Sequence, residues 1–128
     1  MILDTSVMID ILRGNKDTIN KINEMENKNI PLLTSSITVF EIFQGISFVN
    51  DNNRDKIYNL FESINILSFD DNSAREAGII QSDLKRQGKT IDPEDAMIAG
   101  IAKINTEIVL TRNKKHFERI KNLECEFY

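Results

Sequence analysis

The sequence predicts an α/β protein in which helices cover a parallel β-sheet. Short aliphatic runs alternate along the chain with segments whose apolar residues recur at helical spacing, and this alternation is typical of βαβ units. The first run, MIL, leads directly into Asp4, although aspartate is depleted in strands and a buried carboxylate needs a partner. At 128 residues, one domain can bury roughly two-thirds of the surface that the unfolded chain exposes. We therefore expect one domain with acidic groups at the ends of its strands.

Four segments are predicted as strands because each is short and rich in aliphatic side chains. They are Met1 to Leu3, Ile30 to Leu33, Ile64 to Phe69 and Ile108 to Leu110.

The segments between these strands carry helix signals. Ser6 can cap a helix through Leu12 that stops at Gly14, and Asp17 can cap a second helix through about Met25. Four further helices are predicted: from Thr38 to near Val49, over Asp55 to Ser63, from Asp71 or Asn72 with Gly88 just past its end, and from Asp92-Pro93 onward. The intervening patch from Asn50 to Arg54 is predicted to be a loop.

Composition excludes several classes of protein. The single cysteine, Cys125, rules out an internal disulfide framework and favours a reducing compartment. No apolar run approaches the ~18 residues of a membrane span, and the first residues lack the basic region of a secretory signal. We therefore expect a cytoplasmic protein without membrane association.

Charge is unevenly distributed along the chain. The net charge of -4 is unlike that of a general nucleic-acid coat protein, which attracts phosphates through a basic excess. From Lys103 to Lys121, however, six basic residues face only two acidic ones, which is a local surplus of four positive charges. Such a run indicates either a solvated helix face or a surface that attracts phosphates.

Four acidic residues stand at the edges of the predicted elements. Asp4 follows the first strand, Glu41 lies in the first turn after Thr38, and Asp92 and Asp95 flank Pro93. In right-handed βαβ units, the carboxyl ends of the strands and the amino ends of the following helices share one rim. We therefore expect the four acids to lie close together.

Such a cluster favours a hard divalent cation. Like charges about 5 Å apart repel by roughly 3 kcal/mol per pair at an effective dielectric constant of about 20, and a cation removes that repulsion. With no histidine or cysteine expected nearby, an all-oxygen ligand set favours Mg²⁺ or Mn²⁺ over Zn²⁺. Mg²⁺ commonly bridges carboxylates and substrate phosphates, so the pattern indicates phosphoryl chemistry.

Each acid also has a structural interpretation. Thr38 and Glu41 fit a capping box, while Asp92 can cap a helix whose dipole favours Asp95 in the first turn. Asp10 is most simply a solvent-facing helix residue. The sequence leaves these alternatives open.

Four motifs together resemble those of the PIN domain. They are DTS near the amino terminus, SSITVFEIFQG, GKTIDPEDAMIAGIA and IVLTRNKKHF. Their order and spacing are most similar to those of the VapC ribonuclease toxins of type II toxin-antitoxin systems, over essentially the whole chain. The resemblance implies a PIN-like three-layer α/β/α sandwich with a central parallel sheet, formed by one domain over residues 1–128.

The resemblance also implies which residues act. Asp4, Glu41 and Asp95 correspond to the acidic metal ligands and catalytic residues, whereas Asp92 has no regular counterpart and is interpreted as a helix cap. Where the family often has a fourth acid after the last strand, this chain has Asn113 and His116. Asn113 can still offer its amide oxygen to a cation, and His116 is either a substrate contact or an ordinary surface residue.

The implied activity is hydrolysis of RNA phosphodiester bonds with Mg²⁺, or alternatively Mn²⁺. Thr5, Ser6 and Thr111 are candidates to position a phosphate, with Ser6 equally able to serve only as a helix cap. Arg112 and Lys114 are expected to contact the RNA backbone. No serine, cysteine or histidine triad is available for covalent catalysis.

The expected partners are a tRNA or rRNA substrate, a VapB-type antitoxin and a second copy of the chain in a homodimer. Apolar residues beyond the needs of one buried stripe are candidates to line the antitoxin groove: Ile9, Ile11, Phe40, Phe43, Ile46 and Phe48. Two rival functions remain open. One is a catalytically impaired PIN-fold module that binds RNA or a partner, and the other is a Mg²⁺-dependent phosphohydrolase acting on small molecules.

Overall fold

A computed structural model describes all 128 residues, Met1 to Tyr128, and contains a five-stranded parallel sheet. The strands are β1 (Ile2–Leu3), β2 (Leu33–Ser35), β3 (Asn65–Leu67), β4 (Val109–Thr111) and β5 (Cys125–Phe127). Their order across the sheet is β3-β2-β1-β4-β5. This arrangement confirms the predicted parallel sheet.

Seven α-helices and one 3₁₀ turn connect or follow these strands. The helices are α1 (Thr5–Leu12), α2 (Lys16–Asn27), α3 (Ser36–Phe43), α4 (Asp51–Glu62), α5 (Asp71–Arg86), α6 (Pro93–Ile104) and α7 (Lys114–Phe117), with the 3₁₀ turn at Ile46–Phe48. No helix combines the length and the apolar character that crossing a membrane requires.

The central strands bury both of their faces. Successive side chains of a strand point to opposite faces, so Met1 and Leu3 belong to one core cluster with α1, α2 and α4. Ile2 and Val109 belong to the other cluster, which includes residues of α5, α6 and the chain that follows β4. The sheet is therefore the middle layer of an α/β/α sandwich, as the resemblance implies.

The second strand begins later than predicted. Hydrogen bonding to β1 starts where the Leu33 amide donates to the Met1 carbonyl, two residues after Pro31, which has no amide hydrogen to donate. The strand instead continues through Thr34 and Ser35, both of which are fully buried. Burial of these polar residues is tolerated because Thr34 Oγ1 donates to the Leu3 carbonyl at 2.9 Å and Ser35 caps α3.

The remaining strands differ from their predictions in smaller ways. β3 is shorter than the predicted Ile64 to Phe69, and β4 is displaced by one residue to end at Thr111. The sequence prediction missed β5 altogether. Its three residues include a glutamate and lie on the edge of the sheet, so they present no apolar run to detect.

Several helices begin before their predicted starts. The caps of α1, α2 and α3 are Asp4, Asn15 and Ser35 rather than Ser6, Asp17 and Thr38. Asp4 and Ser35 stand at the ends of strands β1 and β2, whereas Asn15 follows the turn after α1. In all three cases the side chain accepts a hydrogen bond from the amide three residues later.

The same effect overturns two further predictions. Asn50 caps α4, so the segment predicted as a loop forms the first helical turn instead. The capping box of Thr38 and Glu41 does not form, since Ser35 is the cap and Glu41 lies in the second turn of α3.

Helix α3 ends at Phe43 rather than near Val49, and the 3₁₀ turn follows. Gly88 takes the predicted place just beyond α5, with a φ of 68°.

Sheet topology locates the region where ligands bind. From β1 the chain first moves to β2 and β3, and it later returns to add β4 and β5 on the other side of β1. A crevice forms outside the carboxyl ends of strands at such a reversal. Asp4 follows β1 and Arg112 follows β4, so both segments end at this crevice.

Candidate active site

Asp4 is a buried carboxylate with several donors. One oxygen, Oδ1, accepts from the Ser6 hydroxyl at 2.6 Å and from the Val7 amide at 3.2 Å, while Oδ2 accepts from the Thr111 hydroxyl. Burial raises the pKa of Asp4 above its ordinary value, although these hydrogen bonds lower it. Asp4 thus both caps α1 and presents a charge that water does not fully stabilise.

Glu41 is tied to the segment that follows Asp4. Its Oε1 accepts a hydrogen bond from the Thr5 hydroxyl at 2.6 Å. Burial is the main cause that raises the pKa of Glu41, the Thr5 bond opposes it, and the charges of Asp95, Glu94 and Asp4 raise it further. The Oε2 atom has no hydrogen bond to the protein, so one oxygen remains available to a ligand.

Asp95, in the first turn of α6, is held by the segment after β4. Its Oδ2 accepts from Asn113 Nδ2 at 2.7 Å and lies 2.6 Å from His116 Nδ1. Burial raises the pKa of Asp95, the hydrogen bond and charge of His116 lower it, and the charges of Asp4 and Asp92 raise it. Both of these bonds go to Oδ2, and Oδ1 has no hydrogen bond to the protein.

Hydrogen bonds connect Asp4 to Asp95. The Thr111 hydroxyl donates to Asp4 and accepts from the Asn113 amide at 2.9 Å, and the Asn113 side chain then donates to Asp95. Residues far apart in the sequence therefore meet at one rim of the sheet, as the topology predicts. The hydroxyls of Thr5 and Thr111 bond to carboxylates here instead of being free for a phosphate.

His116 differs from the expectation that no histidine lies near the acids. The short helix α7 carries its ring over the start of α6, where Nδ1 hydrogen-bonds to Asp95. His116 also forms a compact group with Asp95 and Asp92, in which the possible ligand atoms lie within 4.8 Å of one another. Asp92 occupies the cap position of α6 but makes no capping hydrogen bond with its side chain.

The donor chemistry fits a hard cation. Asp4, Glu41 and Asp95 supply oxygen atoms only, and Glu41 and Asp95 each keep one oxygen without a protein donor. The charges of Asp4 and Asp95 raise the pKa of Glu41, so the three carboxylates repel one another. A divalent cation offsets such repulsion, and oxygen ligands suit Mg²⁺ or Mn²⁺. His116 Nδ1 already bonds to Asp95.

Two basic residues predicted to contact RNA lie beside this site. Arg112 forms an ion pair with Asp10 and leaves half of its side chain exposed. Lys114 is exposed, with Nζ 6.0 Å from the centre of the Phe127 ring. The prediction that Asp10 faces solvent is wrong, because its side chain is only 8% exposed. Helix α1 turns Asp10 towards the chain after β4, where Arg112 compensates its charge.

Sequence reasoning missed Thr38 as a site residue. It is fully buried, and its hydroxyl lies 3.1 Å from Thr5 Oγ1, the group that donates to Glu41. Thr38 was interpreted as a helix cap, which is the role that Ser35 fills. The available signal was two hydroxyl residues three positions apart, Ser35 and Thr38, and this pattern does not show which one caps.

Comparisons with known sequences identify the family. A model of the PIN domain matches residues 1–123. Ribonuclease VapC3 of Methanocaldococcus jannaschii is 39% identical over 100 residues, which are 78% of this chain and 95% of that protein. The tRNA(fMet)-specific endonuclease VapC of Shigella flexneri is 31% identical over 127 residues, or 97% of this chain and 94% of that protein.

Solved structures agree with this assignment. VapBC2 from Rickettsia felis, bound to a DNA fragment from its promoter, superposes with a TM-score of 0.88 at 25% identity and covers 99% of this chain and 97% of the matched chain. DNA-bound VapBC from Salmonella typhimurium gives 0.87 at 28% identity, with 98% and 95% covered. The chain therefore belongs to the PIN domain family, and its relatives place it among the VapC ribonucleases.

Proposed function

We propose that this protein is an endoribonuclease toxin that hydrolyses RNA phosphodiester bonds with Mg²⁺, acts in the cytoplasm and is neutralised by a VapB-type antitoxin. The observation that carries the proposal is the meeting of Asp4, Glu41 and Asp95 at the carboxyl end of the sheet, joined through Thr5, Thr111 and Asn113. The names of its relatives, ribonuclease VapC3 and tRNA(fMet)-specific endonuclease, support RNA as the substrate.

Asp4 and Asp95 are the proposed principal metal ligands, and Glu41 completes the set or orients a water. When held by these residues, Mg²⁺ would supply a lowered pKa for a water molecule and stabilisation of charge on the attacked phosphate. Thr111 and Ser6 hold the Asp4 carboxylate in place through their hydroxyls. Asn113 and His116 hold Oδ2 of Asp95 and leave Oδ1 to face a ligand.

Access of RNA to an acidic site requires local positive charge, because phosphates and carboxylates repel one another. Arg112 and Lys114 provide it directly after β4, in the same segment as Asn113. We assign both to the RNA backbone. Since backbone contacts carry no sequence information by themselves, the choice of RNA depends on other parts of the surface.

An apolar groove beside the site suits an antitoxin segment. Its cavity of about 440 Å³ is lined by residues of α1 and of the region from α3 to α4, half of them apolar, including Leu12, Ile42 and Val49. The charged residues Arg13, Glu41 and Lys56 also line it. Phe40 and Phe48 expose 60% and 92% of their surfaces. The related structures from Rickettsia felis and Salmonella typhimurium are of VapBC bound to DNA. A VapB-type segment in this groove reaches Glu41, and the exposed aromatics are available to it or to a second copy of the chain.

The decisive experiment is an RNA cleavage assay on tRNA and rRNA, with Mg²⁺, with Mn²⁺ and with chelator. We expect cleavage only with a divalent cation, its loss in Asp95→Asn, and inhibition by the cognate antitoxin. RNA that is bound but never cleaved by the native chain favours the catalytically impaired module. Turnover of a chromogenic phosphate ester without any RNA cleavage favours the small-molecule phosphohydrolase instead.

A further inference from the structure

An ion pair joins helix α1 to the residue after β4, at the edge of the proposed active site. Arg112 Nη1 donates to Asp10 Oδ2; the side chain of Asp10 is 8% exposed and that of Arg112 is 50% exposed. We propose that Asp10 is a positioning residue, which holds the Arg112 guanidinium as a fixed phosphate-binding group at the rim of the site. This inference rests on the proposed ribonuclease activity.

The position of Arg112 is set from two directions. Its backbone amide donates to Ser6 Oγ at 3.3 Å, and the same hydroxyl donates to Asp4 at 2.6 Å. The preceding residue, Thr111, donates to the other oxygen of Asp4. Asp10 then holds the far end of the side chain. The guanidinium therefore has a defined placement relative to Asp4.

The ion pair leaves Arg112 able to bind a phosphate. A guanidinium has five N–H donors in a planar fork, and the bond to Asp10 comes from Nη1. Half of the side chain faces solvent, so donors remain for a phosphate oxygen. An arginine already fixed by Asp10 loses less conformational freedom when RNA binds than a free arginine does.

A positioning role for Asp10 and a simple effect of its charge predict opposite effects of Asp10→Asn on activity towards RNA. The substitution changes the net charge from -4 by one unit towards positive, which by itself favours binding of RNA. Loss of the fixed guanidinium instead lowers the rate of cleavage, because the phosphate is no longer held in a reactive placement. A drop in activity despite the added positive charge is therefore diagnostic.

The test measures kcat and KM on single-stranded RNA at constant salt for the native chain, Asp10→Asn, Arg112→Gln and the double variant. Asp10→Asn is expected to lower kcat/KM about 10- to 100-fold, mostly through kcat. Because Asp10 acts through Arg112, the double variant is expected to match Arg112→Gln alone. Thermal unfolding of each variant identifies losses that come from unfolding.

Glu76→Gln is the matched control. It makes the same charge change in the Glu76–Lys103 ion pair between α5 and α6, at 2.7 Å, and neither residue hydrogen-bonds within the site. We expect its kcat to equal that of the native chain. Two results would overturn the positioning role. In the first, Asp10→Asn has the same kcat as Glu76→Gln. In the second, Asp10→Asn lowers kcat by the same factor in the Arg112→Gln background as in the native chain.

Three further outcomes complete the test of the inference and of the proposed function. If Asp10→Asn fails to fold, Arg112→Lys keeps the charge but removes the fork, and activity equal to the native level overturns the inference. If the native chain binds RNA without cleaving it, the proposed catalysis fails; affinities are then compared, and Asp10→Asn must weaken binding to sustain the inference. A native chain that neither binds nor cleaves RNA overturns both.

Discussion

Asp4 combines a structural role with a proposed catalytic one in a single carboxylate. Its Oδ1 caps α1 by accepting from the Val7 amide, and Thr111 and Ser6 donate to the same group. Burial nevertheless raises its pKa, so the ionised form carries a cost in the folded chain. Groups that are costly to the fold and central to a cluster of acids are frequent at functional sites.

Asp4→Asn is expected to abolish RNA cleavage and to stabilise the folded chain at neutral pH in the absence of divalent cations. Asparagine keeps an acceptor oxygen for the cap, while the buried charge is lost. Cleavage should fall at least about a hundredfold, because a bound cation supplies several kcal/mol of charge stabilisation. Cleavage assays and thermal unfolding without cations measure the two effects.

The pH dependence gives this prediction a definite sign. Because the pKa of Asp4 is raised in the folded state, the folded state binds the proton more tightly. The free energy of unfolding of the native chain therefore falls as pH rises from the ordinary aspartate pKa through the raised one. Asp4→Asn should show a smaller decline, to which the raised pKa values of Glu41 and Asp95 still contribute. Asp55→Asn, at an exposed site in α4, should retain the full decline. An Asp4→Asn chain that unfolds more easily at neutral pH contradicts the prediction.

His116→Ala is expected to raise the Mg²⁺ concentration needed for half-maximal cleavage by about 10- to 100-fold. This is the usual loss of metal affinity when a group that supports a metal ligand is removed. The ring donates to Asp95 at 2.6 Å and its charge lowers the pKa of that carboxyl. Activity is measured as a function of Mg²⁺ concentration. Lys115→Ala, an exposed neighbour in α7, serves as the control, and equal behaviour of the two variants counts against a supporting role.

At the scale of elements, α5 and α6 pack unusually close to each other. A Cβ atom added at Gly100 of α6 would lie 2.5 Å from the Ser73 carbonyl oxygen and 2.9 Å from the Ala77 nitrogen. Both of those atoms belong to the backbone of α5 and cannot move aside independently. Glycine is therefore required here for contact between the helices. Because α6 begins with the turn that contains Asp95, the same contact fixes the placement of that carboxylate.

Gly100→Ala is expected to destabilise the chain by about 1–3 kcal/mol through overpacking. Gly78→Ala, on the neighbouring helix, is the matched control because its added Cβ meets no atom within 4 Å. Alanine has the higher helix propensity, so this control should gain up to about 1 kcal/mol. Urea unfolding measures both changes, and similar values for the two variants contradict the packing argument.

Helix and strand types were predicted better than their boundaries. Apolar spacing together with capping and stop signals located six of the helices. Helix α7 is too short to produce such a pattern, and β5 presents no apolar run. The boundaries moved because Asp, Asn and Ser occur at several adjacent positions, and only the path of the chain selects which one caps. At Asp4 this selection placed the cap and the proposed ligand in one residue.

At the scale of the whole molecule, the acidic site depends on the reversal of strand order beside β1. Asp4 follows β1 and Thr111 ends the neighbouring strand β4, although the two residues are 107 positions apart in the sequence. Glu41 enters from the second turn of α3 and Asp95 from the first turn of α6. Folding therefore concentrates negative charge, and a cation that binds only the folded arrangement stabilises the entire chain.

Mg²⁺ is expected to raise the thermal unfolding midpoint of the native chain. At a free concentration of one hundred times its dissociation constant, the gain is about 2.7 kcal/mol. The increase should disappear in Asp95→Asn, which removes one proposed ligand. NaCl at matched ionic strength controls for general screening of charge; an equal rise with NaCl shows that no specific site is involved.

The sequence by itself determined the class of fold and the parallel sheet, because burial and helical periodicity are local patterns. It also singled out the three acids that we propose as metal ligands, because the motifs keep their order. Only the tertiary structure decided that Asp10 is buried against Arg112, that Thr38 supports Glu41 through Thr5, and that His116 lies on Asp95. The reason is physical: a side chain's exposure and charge partner depend on which segments fold against it, and these segments are more than thirty residues away for Asp10 and Thr38 and about twenty for His116.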